Sequence, residues 1–213
     1  MDKLYLISGG NMQKKLTLSQ QKHLDIIHAA KNEFIEYGFL AANMDRITSS
    51  AEVSKRTIYR HFESKEMLFE SVLTVINDSV SKSVSYQFDK NKSTEAQLTE
   101  IAYKEIDVLY NTYGIPLART IVMEFLRQPD MANHVIKNIY SIRAITHWFS
   151  EAITAGRLKN ADPRLMTDIY VSLFQGLFLW PQVMNLASEL TDEDMKSKVD
   201  TVTSVFIQSY GLT

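Results

Sequence analysis

From residue 24 to residue 69, apolar positions recur at helical spacing, interrupted by small polar residues of the kind that start or stop a helix. Leu24, Ile27, Ala30, Phe34 and Tyr37 fall three or more apart on one stripe, Ser19 stands where an N-cap belongs, and Gly38 supplies a left-handed stop. Asn43 is placed to cap a second helix, from Met44 to about Ala51, that turns Met44, Ile47 and Ala51 inward. Ser54 caps a third, Lys55 to His61, and Ser64 a fourth that begins at Lys65. In the third helix Ile58 and Phe62 lie four apart and face the core, which leaves Lys55, Arg56, Thr57, Tyr59, Arg60 and His61 on the outer faces. A helix this rich in cations and aromatics does not belong in a core. Held between well-specified apolar helices, it is a rigid projection suited to the major groove of DNA.

The rest of the chain reads as helices joined by short breaks. The fourth helix is expected to run to about Phe88, followed by a polar linker, Asp89 to Thr94, as the natural domain boundary, though the fourth helix itself bridges both parts. A helix from Glu95 to Tyr113 ends at Gly114, and Pro116 opens the next, to Arg127. After Pro129 a long helix is expected from Met131 to Ala155, stopped by Gly156. Asp162-Pro163 opens one that reaches about Ala187, and Thr191 or Asp192 starts the last, ending near Gly211. The pattern predicts an all-α protein of about nine helices: an arm over 1–18, a three-helix head over 19–65 and a larger helical domain over 66–213.

The outer face of the third helix has distinct chemical parts. Free N–H groups and the helix dipole make its N-terminus a phosphate site, and Lys55 and Lys65, each first in its helix, add charge nearby. Tyr59 and His61 can bond phosphate oxygens, and the Tyr59 ring can pack on a sugar or a thymine methyl. Arg56 and Arg60 are long enough to reach base edges, where guanine offers paired acceptors. Asn43 and Met44, at the start of the second helix, complete the candidate DNA contacts.

The run from Ile47 through Ala51-Glu-Val-Ser-Lys-Arg-Thr-Ile-Tyr-Arg-His-Phe-Glu-Ser-Lys-Glu-Met-Leu-Phe69, preceded by Ala29-Ala30, Phe34 and Tyr37-Gly38-Phe39, resembles the DNA-binding domain of the TetR family of transcriptional regulators. The resemblance covers about residues 19–75. It implies a homodimeric, all-helical regulator with a helix-turn-helix over Met44 to Glu63 and a C-terminal domain that binds a small effector. It also places Lys55, Arg56, Thr57, Tyr59, Arg60, His61 and Lys65 on positions that the family uses against DNA. Glu52 departs from the pattern, standing where the family usually has the turn glycine, and Thr48-Ser49-Ser50 replaces a more apolar stretch. Leu117-Ala-Arg-Thr-Ile-Val-Met-Glu124, the Pro129-Asp-Met region, Gly156-Arg-Leu and Asp162-Pro163 look like an AefR-type C-terminal domain, which implies an apolar or aromatic effector.

Charge sharpens this picture. The net charge is −2, but residues 1–65 hold ten Lys and Arg against seven Asp and Glu, while the remainder holds thirteen against eighteen. The basic surplus is therefore local to the head, and it is small, so affinity should come from summed phosphate contacts and fall steeply with salt. With 7 Gly, 4 Pro and no Cys, the composition favours helices, excludes disulfides and thiolate metal sites, and suits a reducing cytoplasm. Leu4 to Ile7 is too short for a secretory apolar core, and no apolar run reaches the roughly 18 residues of a membrane span, so neither export nor a membrane is expected.

The last two helices have the widest apolar faces: Ile169, Leu173, Phe174, Leu177, Phe178 and Trp180 on one, Met195, Val199, Val202, Val205 and Phe206 on the other. A monomer would struggle to cover both faces, and the resemblance implies a two-fold four-helix interface there, with ordinary packing inside one chain as the alternative. The middle helices should enclose the effector, with Tyr103, Tyr110, Phe125, Trp148, Phe174 and Phe178 as apolar candidates and Asp107, Glu124, Arg143, His147 and Gln175 as polar ones. Glu124, set among apolar neighbours, needs a partner: Arg119, Arg127 or a cationic ligand.

Enzymatic readings find no support in the sequence. It lacks G-x-G-x-x-G, a P-loop and H-E-x-x-H, and its five histidines show no ligand pairing. Neither a cofactor nor a metal is expected. The resemblance to the TetR family instead implies a repressor that holds a palindromic operator and is released by a small effector moving the fourth helix. The other reading is a helical ligand carrier or protein-binding module that has lost DNA binding.

Overall fold

The structure is a computed structural model, and it describes residues 17–133, 143–186 and 190–212. All its described elements are helical: α1 (Leu18–Ala41), α2 (Met44–Ser50), α3 (Lys55–His61), α4 (Lys65–Ser83), α5 (Thr94–Asp107), α6 (Ile115–Arg127), α7 (Arg143–Thr154), α8 (Pro163–Phe174) and α9 (Asp192–Tyr210). A π-helical turn, Val108–Tyr113, continues α5, and a second, Gln175–Leu179, continues α8 into a last turn, Trp180–Val183.

In the head, three of the four predicted caps are in place. The side chains of Asn43, Ser54 and Ser64 accept from the backbone N–H groups of Asp45, Thr57 and Met67, which fixes the starts of α2, α3 and α4. The first helix differs from expectation. Its cap is Thr17, which forms a reciprocal capping box with Gln20, so the helix begins inside the stretch read as an arm, and Ser19 lies within it. Residues 1–16 of that arm lie outside the described residues. Gly38 takes the positive φ expected of it (70°), but the chain kinks there and helix resumes to Ala41. Glu52 also adopts a positive φ of 52°, so a non-glycine residue makes the turn between α2 and α3.

Two cores form. Ile26, Ala30, Phe34, Ile47, Ile58, Phe62, Leu68 and Phe69 join α1–α4 into the head. Leu98, Trp148, Phe149, Tyr170, Phe178, Val202 and Phe206 join α5, α7, α8 and α9 into the larger body. The two are bonded directly, since Thr120 Oγ1 of α6 donates to the Phe34 carbonyl at 3.2 Å and Lys31 Nζ donates to the Thr112 carbonyl at 3.1 Å. Leu117 of α6 belongs to the head core.

α4 stops at Ser83 rather than near Phe88; Val84 turns to an extended conformation, and residues 84–88 are not helical, with Tyr86 buried. The polar stretch after it is tied down, because buried Gln97 accepts from the Asp89 N–H and donates to the Asp89 carbonyl, both at 2.8 Å. Of the helix expected from Met131 to Ala155, the structure describes residues 131–133 and 143–154 as helical, and residues 134–142 lie outside the described residues. Gly156 ends α7 at φ 67°, and Asp162 caps α8 as expected. Beyond Val183 the chain leaves the helix through Met184 and Asn185, the latter at φ 56°, short of the expected Ala187.

Candidate nucleic-acid interface and effector cavity

The recognition surface is built from α3 upward. Ile58 is fully buried and Phe62 nearly so, which fixes the rotation of this two-turn helix on the head. Lys55, Arg56 and Arg60 are exposed and Tyr59 is 50% exposed, so these four project from the head together. Thr57 is half-buried, with its hydroxyl 2.8 Å from that of the cap Ser54. Lys55 is not a free cation, since its Nζ lies 2.7 Å from Asp45 at the start of α2. That carboxylate raises the lysine pKa by hydrogen bonding and by charge.

His61 departs from the expected outward display. Its Nε2 is buried without a hydrogen-bond partner, and its ring lies 5.6 Å from that of His23 on α1. Burial lowers its pKa, and His23, Arg60 and Lys22 lower it further, so the neutral ring is favoured. The imidazole thus packs between α3 and α1 rather than facing a phosphate. Asn43 spends its side-chain acceptor on the Asp45 N–H at 2.7 Å, and Met44 packs half-buried against the head core. Lys65 has a structural task as well. Its Nζ donates to the carbonyls of Leu40 and Ala42, which α1 leaves exposed at its end, and sits 4.7 Å over the Phe39 ring.

Sequence reasoning missed the anchor beneath this surface. Glu33 of α1 is 7% exposed, and its Oε1 accepts from the Asn43 N–H at 2.8 Å and from Arg46 at 2.5 Å. Arg46 also donates to the Ala41 carbonyl at 2.7 Å and stacks 4.1 Å over Tyr37. One buried carboxylate therefore fixes where α2 starts and pins it to α1. An acidic residue among Phe and Ile on an apolar face was the available signal.

A cavity of about 580 Å³ lies between the head and the larger body, within the usual size for a small-molecule site. Leu73, Asn77, Val80 and Ser81 of α4 form one wall, with Ile121, Val122 and Phe125 of α6 beside it. Val108, Leu109 and Tyr113 reach it from the first π-helical turn, and Gln175 and Leu179 from the second. A π-helical turn widens the backbone and redirects side chains, and here both such turns face the same space. Tyr110 braces them by donating its hydroxyl to the Phe178 carbonyl at 2.8 Å.

Of the candidates read from the sequence, Phe125, His147, Phe174 and Gln175 line this cavity. Tyr103 and Asp107 do not, because they lie on the exposed side of α5, where Asp107 accepts from Asn111. Tyr110 braces the wall from outside, and Phe178 is sealed in the core of the larger body. Trp148 is buried in that same core and donates to Gln97 at 3.3 Å. Glu124, 3% exposed, has protein partners in Arg127 at 2.7 Å and Gln128, so its buried charge needs no ligand. Arg119 instead donates to the Val183 and Gln182 carbonyls. The Arg143 side chain lies outside the described residues.

Tyr86, Glu105 and Tyr170 were missed, and they add a buried polar cluster to the lining beside Asn77, His147 and Gln175. Tyr86 donates its hydroxyl to Glu105 Oε1 at 2.5 Å. Burial raises the Glu105 pKa, with the Tyr86 hydrogen bond opposing it, and burial and the Glu105 charge raise those of both tyrosines. Glu105 was passed over because it follows Lys104 in a polar stretch and only the helix rotation turns it inward.

Of the expected apolar interface, Phe174, Phe178, Val199, Val202 and Phe206 are buried in the core of their own protomer. Trp180 and Val205 remain exposed, with Met184 just beyond the end of the α8 extension. Among the described residues no helix is long and apolar enough to cross a membrane.

A family model described as "Bacterial regulatory proteins, tetR family" matches residues 26–72, and one described as "AefR-like transcriptional repressor, C-terminal domain" matches residues 96–212. A TetR family transcriptional regulator from Pseudomonas syringae pv. tomato str. DC3000 has a crystal structure that superposes with a TM-score of 0.78 at 31% identity, covering 92% of this chain and all of that one. The Flavonoid-responsive Regulator FrrA superposes with a TM-score of 0.71 at 27% identity, covering 90% of this chain and 97% of its own. The HTH-type transcriptional regulator YhgD of Bacillus subtilis is 23% identical over 164 residues, which is 73% of this chain and 82% of that protein.

Proposed function

This chain belongs to the TetR family of bacterial transcriptional regulators and is a DNA-binding regulator, and we propose that it is a repressor that an apolar or aromatic effector releases from a palindromic operator. In this reading α3 lies in the major groove. Arg56 and Arg60 read base edges, Tyr59 packs on the backbone, and the N-terminus of α3 with Lys55 holds phosphate. Asn43, Met44, Thr57 and Lys65 border the contact, while His61 acts from beneath by seating α3 on α1. Two heads are joined through the exposed remainder of the last two helices, around Trp180 and Val205. They meet half-sites about one helical turn apart.

The observation that carries the effector part is the position of Leu73. It lies in the head core with Leu68, Phe69 and Val72, and it also lines the cavity, as do Val80, Ile121 and Phe125, which pack against that same core. A ligand pressing on α4 therefore presses on the packing that orients the head. It lowers operator affinity only as far as it prefers the non-binding arrangement, typically by about 1–3 kcal/mol. The similarity to a regulator named for flavonoid response supports an aromatic effector. Family and fold are those of regulators rather than enzymes.

Selection of bound duplexes from a random DNA pool, with the purified chain at moderate salt, tests the reading. Enrichment of a two-fold symmetric sequence is expected. A pool that stays random after several rounds would favour a binding module that has lost sequence-specific DNA recognition.

A further inference from the structure

The cavity wall is mostly apolar, but its polar groups are placed unevenly. Tyr170 lines the cavity, is 2% exposed, and its hydroxyl is buried with no hydrogen-bond partner. A buried hydroxyl left unbonded is unfavourable, so it is a standing demand for an acceptor. Glu105 lines the same space and has only Oε1 engaged, by Tyr86. A carboxyl group has acceptor capacity beyond one such bond, and when protonated it also donates.

We infer that the cavity is built for a lipophilic ligand bearing a hydroxyl head group, which accepts from Tyr170 and bonds Glu105. This rests on the effector reading above and narrows it to a ligand class. Head groups differ in what they can satisfy. An ammonium can donate to Glu105 but cannot accept from Tyr170. A carboxylate can accept from Tyr170, but its charge would be buried beside Glu105 with no Lys or Arg in the lining among the described residues, and the His147 ring there already lies 3.4 Å from Glu151. A hydrocarbon leaves both protein groups unbonded. A hydroxyl both accepts and donates, and it matches Glu105 in either protonation state. The apolar remainder of such a ligand would lie along Leu73, Val80, Ile121 and Phe125.

Four probes on one scaffold test this by calorimetry with the full chain: biphenyl, 4-phenylphenol, biphenyl-4-carboxylate and 4-phenylbenzylamine. We expect 4-phenylphenol to bind at least about tenfold more tightly than biphenyl, although it is the less hydrophobic of the two, and the two ionised probes to bind more weakly than either. Tyr170→Phe should bring 4-phenylphenol to within about threefold of biphenyl, while biphenyl binding itself, unchanged, reports that the cavity is intact. Glu105→Leu should have the same effect, and Glu105→Gln, which still donates and accepts, should keep part of the preference. Tightest binding of the carboxylate or the amine, or a phenol preference untouched in Tyr170→Phe, overturns the hydroxyl inference and leaves the effector site standing. Failure of all four probes to bind overturns both.

Discussion

At the scale of single residues, two buried acids show how differently one side chain can be used. Glu33 takes three hydrogen bonds on Oε1, from Arg46 and the Asn43 N–H, beneath α2, whereas Glu105 takes one, from Tyr86, beside a cavity. Removing the first leaves the Asn43 N–H unbonded and takes the carboxylate from Arg46, which keeps the Ala41 carbonyl, so Glu33→Ala should cost about 2 kcal/mol in urea unfolding. A loss under about 0.5 kcal/mol would mean that α2 is placed by other contacts. For Glu105 the expected signature is pH dependence. Burial favours its neutral form, so the folded chain holds the proton to higher pH than the unfolded chain does. The stability of the wild type relative to Glu105→Gln should then fall as pH rises from about 4.5 through the raised value, and be level on either side. A difference that rises over that window would show that the carboxylate is stabilised in the fold. Neither role was legible in the sequence, because an acid on a helix shows its partner only once its rotation is known. For Glu124 the sequence did show the need for a partner and named Arg127 among three candidates, and the structure selects it.

At the scale of elements, legibility followed local chemistry. Caps act through their own neighbours, so Asn43, Ser54 and Ser64 marked their helix starts to the residue. Ile58 and Phe62 likewise fixed which face of α3 is buried. The π-helical turns were invisible, because one extra residue per turn leaves an apolar stretch reading as ordinary helix, and they decide which side chains line the cavity. His61 faces α1 because the C-terminal end of α3 runs beside His23, a tertiary contact with no local trace. Two expectations belong to this scale. Leu73→Ala should destabilise the chain by about 3 kcal/mol and also weaken cavity binding, since the side chain serves the head core and the cavity wall. Loss of stability alone would separate the two roles. Arg56→Ala and Arg60→Ala should each relax preference at a base position, whereas Lys65→Ala should weaken all duplexes alike, partly by loosening the end of α1. Equal, sequence-independent losses in all three would assign the arginines to phosphate.

At the scale of the whole molecule, the head is not a separate bead on a linker. α6 bonds to α1 and contributes Leu117 to the head core, so the two bodies share a packed boundary with the cavity beside it. The polar stretch over 89–94 is itself tied down by Gln97, a contact that composition does not register. The sequence likewise overstated the apolar surface left for a partner copy, since half of those side chains fill the protomer's own core. What remains exposed around Trp180 makes a sharp test: Trp180→Glu should shift the protein toward monomer in sedimentation and cut operator affinity at least tenfold, with the thermal midpoint little changed. A variant that stays dimeric would move the interface elsewhere.

The placement of α3 in the major groove is open to one direct measurement. Dimethyl sulfate methylates guanine N7 in the major groove and adenine N3 in the minor groove, so protection on a selected duplex reports which groove is filled. Guanines in both half-sites should be protected by the wild type, with one position in each half-site losing protection in Arg56→Ala or Arg60→Ala. Protection confined to adenine N3, or guanine protection unchanged in both variants, would contradict it.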